Sequence, residues 1–93
     1  MKYFIDTHDR TRNSFPAEEA SQEQFLAIYS GMDEALLSEG GFLSGAHVNL
    51  AEGKAFCHTA AADEAAVAAA HEKIGLPYDS ITQVHRVSGI DLR

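Results

Sequence analysis

A chain of 93 residues can bury one hydrophobic core and not a second, so a single domain over residues 1–93 is expected. Fourteen Asp and Glu against seven Lys and Arg leave a net charge of -7 spread along the chain, which excludes the basic face through which nucleic acid binds by counterion release. Cys57 stands alone, no apolar run nears the ~20 residues of a membrane span, and the start "MKYFIDTHD" has no apolar h-region; a cytoplasmic protein with no disulfide framework and no membrane partner is expected.

"KYFIDTH" (2–8) carries β-formers in rough alternation and predicts the first strand. Residues 9–20 are polar, include Pro16, and read as a loop with room for one helical turn near its end. "SQEQ" (21–24) has the Ser-x-x-Gln form of a capping box, and Phe25, Ile28, Tyr29, Met32 and Leu36 follow at helical spacing. Gly40-Gly41 stops this first helix. "FLSGAHVNL" (42–50) and "KAFCHT" (54–59) predict a second and third strand joined as a hairpin. Asp63 is a good N-cap for a second helix, "EAAVAAAHEKI", which Gly75 and Pro77 end. "SITQVHRV" (80–87) predicts the fourth strand, and 88–93 a tail.

The order β-α-β-β-α-β with right-handed crossovers gives an α+β, ferredoxin-like sandwich: an antiparallel sheet of order 4-1-3-2 with both helices on one face. Strand residues alternate faces, and the helix-covered face should carry the stronger apolar set. On the second strand that set is Phe42, Ala46, Val48 and Leu50, which leaves His47 and Asn49 on the open face. A two-residue turn at Glu52-Gly53 sets His47 directly opposite His58, and Val48 opposite Cys57, with Phe56 on the open side. On the first strand Tyr3, Ile5 and Thr7 fit the covered face and Phe4, Asp6 and His8 the open one. On the fourth, Val84 is assigned to the covered face, with Gln83, His85 and Val87 open. A one-residue slip inverts any of these assignments. The open face then gathers four histidines, Asp6, and the apolar Leu43, Phe4, Phe56 and Val87. A face that apolar predicts a homodimer packed sheet to sheet, with a part-polar, His-lined cavity between the sheets.

Neutral imidazoles suit nickel, zinc, copper or cobalt, so His47 and His58 are the first candidate ligands, against the plainer reading of two half-exposed surface residues. Asp6 and His8, as Asp-x-His on one face, and His85 are further candidates; strand-end exposure is the plain alternative for each. His71 follows Val67 and Ala70 at helical spacing and reads as a packed, hydrogen-bonded histidine on the other side of the sheet. Cys57 reads as a small buried side chain beneath a helix, not a nucleophile. Arg10 and Arg12 flank a cavity mouth where an anion or substrate could be held, against the preferred reading of a solvated loop.

The run "FCHTAAADEAAVAAAHEKIGLPYDSITQVHRV", with "FIDTHD" and "EGGFLSGAHVNL" before it, resembles a bacterial domain-of-unknown-function family whose best-known type is a small nickel-binding protein of ferredoxin-like fold. The resemblance implies a dimeric α+β barrel and makes nickel, or another divalent transition metal, the leading ligand. The expected function is a metal-binding module with sites between the sheets of a homodimer. The alternative is a dimeric α+β barrel enzyme or small-organic-ligand binder with His58 or His8 as general base. No nucleophile, base and orienting group can be read together from the sequence, so the binding module is preferred to the enzyme.

Overall fold

The computed structural model describes residues 1–15 and 21–93. The end of the 9–20 loop, where one helical turn was expected, falls outside them. Four strands form one sheet: β1 (Lys2–Asp9), β2 (Phe42–Asn49), β3 (Lys54–Ala61) and β4 (Ser80–Val84). Two helices, α1 (Gln22–Ser38) and α2 (Glu64–Ile74), complete the β-α-β-β-α-β order. The sheet runs β2-β3-β1-β4 with every neighbouring pair antiparallel, which is the expected 4-1-3-2 read from the other edge.

The helix boundaries follow the local chemistry. Ser21 accepts from the Gln24 amide while the Gln24 side chain accepts from the Ser21 amide, the reciprocal capping box read from "SQEQ". Asp63 caps α2 by accepting from the Ala66 amide, and Gly75, left-handed at φ 67°, ends it. Gly41 is required for another reason: a Cβ there would run into the Ala60 carbonyl oxygen. That contact seats the end of α1 on β3.

The core lies between the helices and one sheet face. Phe15, Phe25, Ala55 and Cys57 pack together beneath α1. Met32, Ala35, Leu36 and Ala70 join α1 to α2, and Phe4, Ala61 and Val67 hold α2 to the sheet. No helix among the described residues is long and apolar enough to cross a membrane.

Several face assignments read from the sequence are corrected. On β1 it is Phe4, Asp6 and His8 that are buried under the helices, while Tyr3 is more than half exposed on the open face. Phe4 is needed against Val67, and the two polar residues satisfy each other, so polarity did not decide the face. The β2–β3 hairpin pairs Asn49 with Lys54 rather than closing at Glu52-Gly53. His47 therefore faces Phe56, and Cys57 faces Ala46 rather than Val48. The shift is by two residues, so every side chain in this part of the hairpin keeps its face. A bulge at Ser44, whose hydroxyl donates to the His58 carbonyl, then reverses the order ahead of it. Leu43 enters the core and Phe42 is left 40% exposed, the opposite of the expected pair. β4 stops at Val84, which pairs with Tyr3 on the open face, while Gln83 pairs with Phe4 on the covered one; His85 and Val87 lie beyond the ladder, exposed. The tail contains a short 3-10 turn, Gly89–Leu92.

Candidate functional site

The histidines divide between the two sheet faces. On the open face His47 Nδ1 lies 3.1 Å from His58 Nε2, with the rings edge to face. They sit on the diagonal of the hairpin, since His58 pairs with Gly45 and His47 with Phe56. Around them the open face shows Tyr3, Phe42 and Phe56, each at least 40% exposed, and the half-buried Ile5 and Val84.

Beneath the helices, the Nε2 atoms of His8 and His71 each donate to the same oxygen of Asp6, Oδ2, at 2.9 Å. The outer nitrogens are fixed by backbone. His71 Nδ1 donates to the Val67 carbonyl one turn back on α2, at 2.8 Å. His8 Nδ1 is shared between the carbonyls of Ser14 (2.9 Å) and Pro77 (2.8 Å). Both carbonyls are delivered by tight local turns. Asn13, left-handed at φ 58°, folds the chain back so that the Ser14 amide bonds Asp9 O. The left-handed Gly75 ends α2 and leads the chain through Leu76 to Pro77. The two imidazoles stack with centroids 5.4 Å apart, and Tyr78 closes over His71.

The electrostatics follow from this geometry. Burial pushes the Asp6 carboxyl up, but the hydrogen bonds from His71 and His8 and their charge outweigh it and hold the group below its ordinary 3.8. Burial likewise pushes His8 down, and the bond to Asp6, its charge and the Pro77 and Ser14 carbonyls bring it above 6.5. The Cys57 thiol beside Asp6 is driven well above its usual range, first by burial and then by the carboxylate. Burial also raises the Tyr29 phenol, helped by Cys57, Asp33 and Asp6.

Asp6 Oδ1 is buried and has no hydrogen-bond partner among the described residues. Ligand atoms of Asp6, His8 and Cys57 all lie within 4.8 Å of one another, a group able to hold a metal ion. Beside it a cavity of about 20 Å³ is bordered by His8, Cys57, Tyr29 and Met32. That is room for about one water molecule.

The structure thus brings together His47 and His58 as expected, moves Asp6 and His8 to the other face, and leaves His85 apart from both groups. His71 was read correctly as packed and hydrogen-bonded, and its partner proves to be Asp6. The signal for that pairing was present: a histidine on an apolar helical stripe needs a polar partner, and Asp6 is an acid on a central strand. Arg10 does not wait for an anion; its guanidinium donates to the Leu50 and Ala51 carbonyls. Arg12 pairs with Asp79 in solvent.

Residues 4–84 match the family described as "Nickel responsive protein SCO4226-like". The crystal structure of SCO4226 from Streptomyces coelicolor A3(2) superposes with a TM-score of 0.77, covering 92% of this chain and 99% of that one at 20% identity. At that identity the likeness establishes the fold. No curated protein matches the chain.

Proposed function

The chain belongs to the nickel-responsive SCO4226-like family, and from that premise we propose that it is a homodimer that binds divalent transition metal, nickel first, through His47 and His58 on the open sheet face. One observation carries this reading: the 3.1 Å between His47 Nδ1 and His58 Nε2. With metal–nitrogen bonds of about 2.0–2.1 Å, two nitrogens on one ion stand about 2.9 Å apart at a right angle and about 3.4 Å apart in a tetrahedron. The two ring nitrogens, here within hydrogen-bond distance of each other, stand in the range of two ligands on one ion.

The homodimer is the remedy for Tyr3, Phe42 and Phe56, whose exposed rings share the face. Packing that face on a second copy would bring two His47–His58 pairs into one cavity. His85, past the end of β4, lies apart from the pair. The metal's contribution would be to join the pair and, across the dimer, the two copies. This chain's part is to hold the rings on adjacent strands of one sheet.

Calorimetric titration of tag-free protein with nickel, zinc, copper and cobalt at pH about 7.5 tests the reading. The double variant His47→Ala/His58→Ala should lose one class of sites; an unchanged nickel stoichiometry refutes the assignment. The second reading, a small-organic-ligand binder, is favoured by a groove of about 530 Å³ between α1 and β2, lined by Phe25, Leu26, Tyr29, Val48 and Leu50. His58 projects from the opposite sheet face and His8 has acceptors at both nitrogens, so neither would act as a base in that groove.

A further inference from the structure

Asp6, His8 and His71 occupy core positions in a small domain, all at most 3% exposed. Well-packed apolar residues of like volume in place of a buried ionic network are often neutral or stabilising. Such a breach of the hydrophobic pattern is expected at a functional or strained site. Its geometry says what kind. Each ring has Nδ1 fixed on a backbone carbonyl, which aims Nε2 inward at one carboxylate. The same outer bonds orient metal-bound histidines and fix their tautomer. Asp6 keeps one oxygen, Oδ1, without a partner among the described residues, although a buried acceptor is costly to leave unsatisfied. Cys57 brings a sulfur into the same group. A water-sized cavity lies against His8 and Cys57, two of the three candidate ligands.

We propose that Asp6, His8 and Cys57 form a second, buried transition-metal centre, with His71 as the residue that positions Asp6. The donor set is one carboxylate oxygen, one imidazole nitrogen and one thiolate. That mixture suits zinc, cobalt or nickel and not the hard cations magnesium or calcium. Binding a divalent ion releases the His8 Nε2 proton and the Cys57 thiol proton to solvent. Two positive charges enter and two leave, so the buried net charge is unchanged. The centre differs from the open-face pair in carrying sulfur and in lying behind the core, where exchange is slow.

The test uses the full chain carrying His47→Ala/His58→Ala, stripped with chelator and titrated with cobalt(II). Saturation near one ion per chain is expected, with a thiolate-to-cobalt charge-transfer band in the near ultraviolet. The further variant Cys57→Ala should remove the band and weaken binding at least tenfold. Absence of the band, or its survival in Cys57→Ala, overturns the proposal. A measurement that needs no core substitution stands beside it: zinc X-ray absorption on the His47→Ala/His58→Ala protein should show one sulfur at about 2.3 Å, and a shell of nitrogen and oxygen alone overturns it. His71→Gln keeps an N–H for Asp6 and should retain the cobalt band with affinity lowered about 10–100-fold. Unchanged affinity there removes His71 from the positioning role. Because both open-face histidines are absent, failure here is distinct from failure of the open-face site.

Discussion

Asp6→Asn is the most demanding single perturbation of this fold. Asn has the volume of Asp, so no cavity opens and the packing around it is undisturbed. What is lost is charge. Oδ2 accepts from both His8 and His71 at 2.9 Å with no exposure to solvent. Two charge-assisted bonds at about 1.5–3 kcal/mol each, or the loss of a buried ion pair at about 3–5, converge on about 3–5 kcal/mol. A 93-residue domain has about 5–14 kcal/mol in total, so the variant should sit near its threshold. In melting temperature the loss is about 12–40 °C. The assay is denaturant unfolding of chelator-treated protein at several pH values. Asp6, held below 3.8, contributes stability that is full above that value and lost as pH falls through its lowered folded value. His8, raised above 6.5, contributes stability that is full below 6.5 and lost as pH rises through its raised folded value. The gap between wild type and Asp6→Asn should therefore be widest between about pH 4 and 6.5 and narrow on both sides. A loss under about 1 kcal/mol, or a gap that does not vary with pH, would refute the claim that this carboxylate holds the network.

Two further outcomes test other parts of the structure. Gly41→Ala forces a Cβ onto the Ala60 carbonyl, and backbone yields less readily than a side chain; a loss of about 1–3 kcal/mol is expected in the same unfolding assay, and wild-type stability would mean the α1–β3 approach is looser than described. Phe56→Glu places a charge at the centre of the open face, and sedimentation should show a dimer converted to monomer; an unchanged mass would move the dimer interface elsewhere.

Most of the architecture was legible in the sequence because its punctuation is strong. Ser21 with Gln24, Asp63, Gly75 and the Gly40-Gly41 pair each have one favoured use, and together they fix element order and type. Face assignment was harder, for two physical reasons. On β1 the sets Tyr3-Ile5-Thr7 and Phe4-Asp6-His8 are nearly balanced if Asp and His are counted as polar. They are buried because they neutralise each other with His71, a partner 63 residues beyond His8 that no local pattern displays. On β2 a single extra residue at Ser44 changes parity, and bulges leave little local trace when the inserted residue is neither Gly nor Pro. The His47–His58 pair survived an error in register only because that error was even. The open-face half of the candidate chemistry was thus readable from the hairpin. The buried half was readable only as fragments, an Asp-x-His, a helix-stripe histidine and a strand cysteine, until tertiary packing joined them.

The Ser44 bulge also matters at the border of the sheet. β2 is an outer strand eight residues long, paired with β3 on one side and with no other strand on the other among the described residues. A straight strand of that kind is a template for uncontrolled growth by edge-on addition of further chains. The bulge breaks its straight run near the start, and at the opposite border β4 is only five residues long. Both margins are poor docks for a foreign strand. Fibre formation by this chain should therefore require partial unfolding first.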